Sequence, residues 1–116
     1  MVDSSSTATA HVALESESSA GRIPVTTVDR LTGELKLTRV GLIKMDMEGA
    51  EHKALECARA TLARFKPKLG LAGYHYHDDY LDLPAVVRRA RPDYQWHTVS
   101  CWPDGGHIHP MTLVAR

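Results

Sequence analysis

Three carboxylates, Asp46, Glu48 and Glu51, crowd the point where the apolar run Val40-Gly41-Leu42-Ile43-Lys44-Met45 gives way to Asp46-Met47-Glu48-Gly49-Ala50-Glu51. A second polar stretch, Tyr74-His75-Tyr76-His77-Asp78-Asp79-Tyr80, is the most aromatic and titratable segment of the chain. A histidine beside a carboxylate can take the proton of a hydroxyl, because its pKa lies near the working pH. Two histidines with carboxylates can instead hold a divalent metal. The plainer reading is that the acids answer a helix dipole and that the loop caps the helix after it.

The elements that carry these residues follow from pattern. The apolar run is the length of one strand and leads into helical spacing, which is a strand-to-helix unit of an α/β sheet. In such sheets ligands bind beyond the carboxyl ends of the strands, where Asp46 and Glu48 fall. Alternation over Leu42 to Met47 puts Lys44 and Asp46 on one face and Ile43, Met45 and Met47 on the other. A lysine inside an apolar strand needs a partner, so a Lys44–Asp46 contact or a ligand on that face is expected. From Ala50, the recurrence of Leu55, Ala58, Leu62 and Phe65 predicts one amphipathic helix that Pro67 stops, with Arg64, Lys66 and Lys68 near its end. Leu69-Gly70-Leu71-Ala72-Gly73-Tyr74 then reads as a second strand. The crossover makes it parallel to the first, so His75 and His77 converge on Asp46 and Glu48.

The remaining segments are simpler. Residues 1–21 are Ser/Thr-rich and read as a flexible arm, with one short strand at His11 to Leu14. Residues 22–116 form the domain. Arg22 to Thr27 is extended, and Thr27 or Asp29 caps a brief turn through Leu31 before Gly33. Asp82 is placed to cap a helix from Leu83 to Ala90, with Pro84 in its first turn. Tyr94 to Cys101 alternates as a strand, Trp102 to Gly106 is a turn, and Pro110 to Ala115 returns as the last strand of an antiparallel hairpin.

Composition sets bounds on all this. At 116 residues the chain holds one domain with a modest core. Its 14 basic and 14 acidic residues cancel, which leaves no electrostatic footprint for nucleic acid or an anionic membrane. No apolar run approaches the ~20 residues of a membrane span, and the start lacks a secretory signal, so a cytoplasmic location is expected. Cys57 and Cys101 lie far apart without CxxC spacing and read as reduced thiols filling small spaces in the core.

Two segments also carry a family resemblance. Leu42-Ile43-Lys44-Met45-Asp46-Met47-Glu48-Gly49-Ala50-Glu51 resembles the "IKIDVEGAE" signature of the FkbM family of S-adenosylmethionine-dependent methyltransferases. Ile23-Pro24-Val25-Thr26-Thr27-Val28-Asp29-Arg30-Leu31 resembles the "VPVTTLDDL" segment that precedes it, and the loop after the second strand is similar to the family's "H...DDL...P". The resemblance spans 23–116 and implies the C-terminal half of a class I, Rossmann-like sheet, with parallel strands and a terminal antiparallel hairpin. It implies S-adenosylmethionine as cofactor, bordered by Asp46 and Glu48, and Asp46 with His75 or His77 as catalytic groups. The acceptor implied is a hydroxyl of a small molecule or sugar, and no metal is assigned.

The family's first strand bears a glycine-rich cofactor loop, and this chain has none: Gly105-Gly106 falls in the hairpin and Gly70 and Gly73 fall in a strand. The first strand would also flank the strand at 42–47, so that edge is expected to be open and ready to pair in a homodimer or with a complementary subunit. A non-catalytic remnant or interaction subunit is accordingly the alternative to an enzyme. A third reading is a small metal-dependent hydrolase built on His75, His77 and Asp46.

Overall fold

The structure, a computed structural model, describes residues 2–3, 11–12 and 22–116. Three two-residue strands, β1 (Val2–Asp3), β2 (His11–Val12) and β3 (Arg22–Ile23), form a small antiparallel sheet of order β2-β1-β3. The rest of the arm expected over 1–21 lies outside the described residues. Then follow α1 (Val28–Glu34), β4 (Leu42–Met45), α2 (Glu51–Glu56), α3 (Arg59–Phe65), β5 (Lys68–Ala72), α4 (Asp79–Ala90), β6 (Trp96–Asp104) and β7 (His107–Ala115). The main sheet has the order β4-β5-β7-β6. β4 and β5 are parallel, and β7 runs antiparallel to both β5 and β6. This is the mixed α/β architecture expected, part of a Rossmann-like sheet closed by a hairpin.

The core lies on one face of that sheet. Met45, Leu69, Leu71, Leu113 and Ala115 alternate onto it and meet Leu55, Ala58 and Leu62 of the α2–α3 segment, Leu83, Val86 and Val87 of α4, and Tyr94. Each large apolar side chain buried here is worth about 1.5–3 kcal/mol. Tyr94 closes the far end: its hydroxyl donates to the Pro67 carbonyl at 2.7 Å, and burial pushes its pKa up to about 12. The opposite face carries Leu42, Lys44 and Lys68, all exposed, and no helix among the described residues covers it. Lys44 therefore needs no partner. It stays hydrated, and the expected Lys44–Asp46 contact is not made.

Three boundaries differ from the sequence expectations. The single helix expected from Ala50 is broken at Cys57-Ala58 into α2 and α3, and Cys57 at the break is exposed rather than in the core. α4 begins at Asp79, not Leu83, so Pro84 lies inside the helix and removes the hydrogen bond its position would donate to the Tyr80 carbonyl. The hairpin strands run nine residues each, and the turn shrinks to Gly105-Gly106, with φ of +53° and +90°. Two consecutive positive φ values suit the right-handed twist of a two-residue hairpin and favour glycine at both places.

The helix break has a physical cause in Asp29. Interrupting the helix frees the Cys57 carbonyl and the first amides of α3. The Asp29 amide donates to the Cys57 carbonyl at 3.2 Å. Its carboxylate accepts from the Ala60 amide at 2.9 Å, and from the Thr61 amide and hydroxyl at 2.7 Å each. Thr27 meanwhile caps α1 itself, accepting from the Arg30 amide at 3.1 Å. Asp29 is thus the N-terminal cap of a helix some thirty residues away. Asp29→Ala is expected to lower unfolding free energy by roughly 2–4 kcal/mol, measured by urea denaturation, since it strips a charged acceptor from the first amides of α3 and from the buried Thr61 hydroxyl. An unchanged urea midpoint would show that the break is stabilised by something else.

Candidate functional site

β4 and β5 pair in register from Leu42↔Lys68 to Met45↔Leu71, so the residues that follow them leave at the same edge. Beyond β4, the Ala50 amide returns to the Met47 carbonyl at 3.1 Å, with Glu48 at φ +52° and Gly49 at φ +93° between them. This tight turn ends the strand at Met45, two residues earlier than alternation suggested. A non-glycine residue in the left-handed region costs roughly 1–2 kcal/mol. The turn sends the Glu48 side chain back toward β5.

Beyond β5, the segment after Gly73 turns over that edge. The Asp79 amide donates to the Tyr76 carbonyl at 3.2 Å, while the buried Asp79 carboxylate accepts from the Tyr76 amide at 2.8 Å. This closed loop presents His75 to the acids. Its Nε2 lies 3.5 Å from Glu48 Oε2 and 3.8 Å from Asp46 Oδ1, and its Nδ1 lies 3.3 Å from Glu51 Oε1. The imidazole is 11 % exposed, and both ring nitrogens are buried without a hydrogen-bond partner.

Glu51, the third carboxylate of the junction, also reaches the imidazole. Its side chain is 1 % exposed, its Oε1 accepts from the Met47 amide at 2.5 Å, and it stands behind the imidazole. Tyr74 is the other addition. Its hydroxyl donates to Asp46 Oδ1 at 3.0 Å, its ring lies 4.4 Å from the His75 ring, and the bond to Asp46 raises its pKa. The crowding of a third acid at the strand-to-helix junction was the available signal for Glu51; nothing in the sequence singled out Tyr74 from its neighbours.

Asp46, Glu48 and His75 are therefore brought together, as expected. Among the described residues they form one group whose ligand atoms all lie within 4.8 Å of one another. His77 is exposed and is not part of that group. Among the described residues no lysine or arginine lies within ion-pair distance of Asp46, Glu48 or Glu51. Beside Asp46 and Tyr74 a cleft of about 460 Å³ runs along the uncovered sheet face, over Leu42, Lys44, Gly70 and Thr112. A Cβ at Gly70 would meet nothing within 4 Å, so the cleft floor there is open backbone.

The turn at Gly49 supplies a direct test of how the site is held. A Cβ there would lie 2.8 Å from the Tyr76 ring, in addition to the unfavourable φ. Gly49→Ala is expected to destabilise the protein by roughly 1–3 kcal/mol, seen in chemical denaturation. Adding Tyr76→Ala removes the steric part alone. Full recovery in the double variant would mean that the backbone conformation contributes nothing.

Comparison with known proteins bears on the family of the chain. The family model for the methyltransferase FkbM domain matches residues 2–100. The crystal structure of methyltransferase FkbM from Methylobacillus flagellatus KT is similar, at 36 % identity and a TM-score of 0.52, over 65 % of this chain and 19 % of that one. This chain thus spans about a fifth of the length of that structure. No curated protein matches. Among the described residues no helix is long and apolar enough to cross a membrane. With the family model covering most of its length, the chain belongs to the FkbM methyltransferase family.

Proposed function

We propose that this chain carries the acceptor side of a methyltransferase that moves the methyl group of S-adenosylmethionine to a hydroxyl of a small molecule or sugar. The observation that supports it is the convergence of His75 on Asp46 and Glu48 at the shared end of two parallel strands. The cofactor would supply an electrophilic methyl group. The residues present fit one border of it, since Asp46 lines an open cleft over Gly70, while the glycine-rich loop that would cradle the remainder is not in this sequence. Only the chemistry of this chain's own residues is therefore derived.

Methyl transfer is an in-line displacement, so the protein has to align donor and acceptor and take one proton from the acceptor oxygen. Glu51, buried behind Nδ1, favours the proton on that nitrogen and leaves the Nε2 lone pair toward Asp46, Glu48 and the cleft. An acceptor hydroxyl between Nε2 and Asp46 would lose its proton to the imidazole. Tyr74 holds the Asp46 carboxylate in place through its hydroxyl.

A second reading, an interaction subunit without activity, is favoured by a separate observation. β4 pairs only with β5 among the described residues, so its other edge presents unpaired backbone groups beside exposed Leu42. A homodimer or a complementary subunit could pair along Leu42–Met45.

One experiment separates the two. The purified chain is incubated with S-adenosylmethionine and a panel of sugars and small alcohols, and S-adenosylhomocysteine release is followed alongside sedimentation velocity. The transferase reading expects methylation at oxygen, reduced about 10²–10⁴-fold by His75→Gln and by Asp46→Asn. Methylation at nitrogen or carbon, or indifference to both substitutions, would sink it. A folded protein with no turnover that sediments as a dimer, and as a monomer after Ile43→Pro, supports the interaction subunit instead.

A further inference from the structure

We infer that Asp46, Glu48 and His75 form a binding site for a first-row divalent transition-metal cation, manganese through zinc. Two observations lead there, and His75 takes part in both. The first is the gathering of two carboxylates and an imidazole nitrogen within 4.8 Å. The second is the His75 ring itself, whose two nitrogens are buried and unpartnered although carboxylates face both of them.

The distances discriminate between a hydrogen-bonded cluster and a ligand set. At 3.5 and 3.8 Å from the two acids, Nε2 is outside the usual range of an N–H···O hydrogen bond. Ligands about 2.0–2.2 Å from a shared cation stand roughly 3.0–3.5 Å from one another, so Nε2 needs to close on the two acids by only a few tenths of an ångström, and the two acid oxygens lie within 4.8 Å of each other. Metal-bound histidines generally give their second nitrogen's proton to a carboxylate, which sets the tautomer. Glu51 Oε1 stands 3.3 Å from Nδ1, near enough to take that role on a small movement, and is itself fixed by the Met47 amide. With the proton on Nδ1, the Nε2 lone pair would face the Asp46 and Glu48 carboxylates, and a bound cation would offset their mutual repulsion. No lysine or arginine among the described residues supplies that positive charge.

The donor set selects the ion class. An imidazole nitrogen with two carboxylate oxygens suits borderline cations, whereas magnesium and calcium prefer oxygen alone and soft ions prefer sulfur. Asp46 and Glu48 are both open to solvent, at 43 % and 44 %, so coordination positions would remain toward the cleft. An acceptor hydroxyl bound there would have its own pKa lowered by the cation, replacing proton removal by the imidazole. Cation binding itself does not depend on the transferase reading.

Calorimetric titration of the 116-residue protein with manganese or zinc chloride, without S-adenosylmethionine, tests this. One equivalent is expected to bind, at least tenfold more weakly after Glu48→Ala or His75→Ala, and 10–100-fold more weakly after Glu51→Gln. His97→Ala, at an exposed histidine outside the cluster, is expected to leave binding unchanged. Pulsed electron paramagnetic resonance of the manganese-loaded protein should show coupling to one imidazole nitrogen, a readout that needs no variant to fold. Absence of saturable binding at millimolar metal, absence of nitrogen coupling, retention after His75→Ala, or preference for magnesium would each overturn the site. Failure here leaves methyl transfer untouched, since its assay reads S-adenosylhomocysteine.

Discussion

The parallel pairing of β4 with β5 is the constraint on which the rest of this molecule depends. Because both strands run the same way, the turn after Met45 and the loop after Ala72 emerge side by side, and a histidine from one reaches acids from the other. The same register puts Met45, Leu69 and Leu71 on the covered face. A slip of one residue would turn those side chains to solvent and move Asp46 away from Tyr74 and His75. Core burial and site geometry are thus secured by one set of backbone hydrogen bonds, so the energy that orders the core also orders the site.

What could be read from the sequence was what repeats or alternates. The two parallel strands, the apolar stripe of Leu55, Ala58 and Leu62, and the meeting of His75 with Asp46 and Glu48 all follow from period and connection length. Features set by contacts between distant residues were not legible. The stripe runs unbroken through Cys57-Ala58, so nothing local marked the break that Asp29 stabilises from α1. Lys44 was expected to need a partner because it interrupts an apolar strand, but its face of the sheet is uncovered. Asp82 looked like a cap, but Asp79 closes the loop earlier through the Tyr76 backbone, which starts α4 ahead of Pro84. His75 and His77 are equivalent by spacing; only the folded loop places the first among the acids.

The asymmetry of the sheet bears on where chemistry can happen. Parallel strands normally have both faces covered, and here α2, α3 and α4 all contribute to the same one. The site sits where the covered face, the open face and the free edge of β4 meet. Its imidazole is nearly dry because α2 and the Gly73–Asp79 loop enclose it, while its two acids are wet because nothing described lies over them. Whatever covers the open face would also roof the cleft beside Asp46, exclude water and strengthen each electrostatic contact there.

The acids of the chain divide according to what they accept from. Asp29 takes the amides of Ala60 and Thr61, Asp79 takes the amide of Tyr76, and Glu51 takes the amide of Met47. Each is held by the backbone group it satisfies, and replacing any of them leaves that donor unpaired. Among the described residues no backbone amide donates to Asp46 or Glu48, and Glu48 is carried at a positive φ that a glycine would occupy at less cost. Helix-dipole relief does not account for that placement, because α2 begins at Glu51, three residues later. Glu48 is thus held at that positive φ with only the His75 imidazole, 3.5 Å from its Oε2, beside its carboxylate.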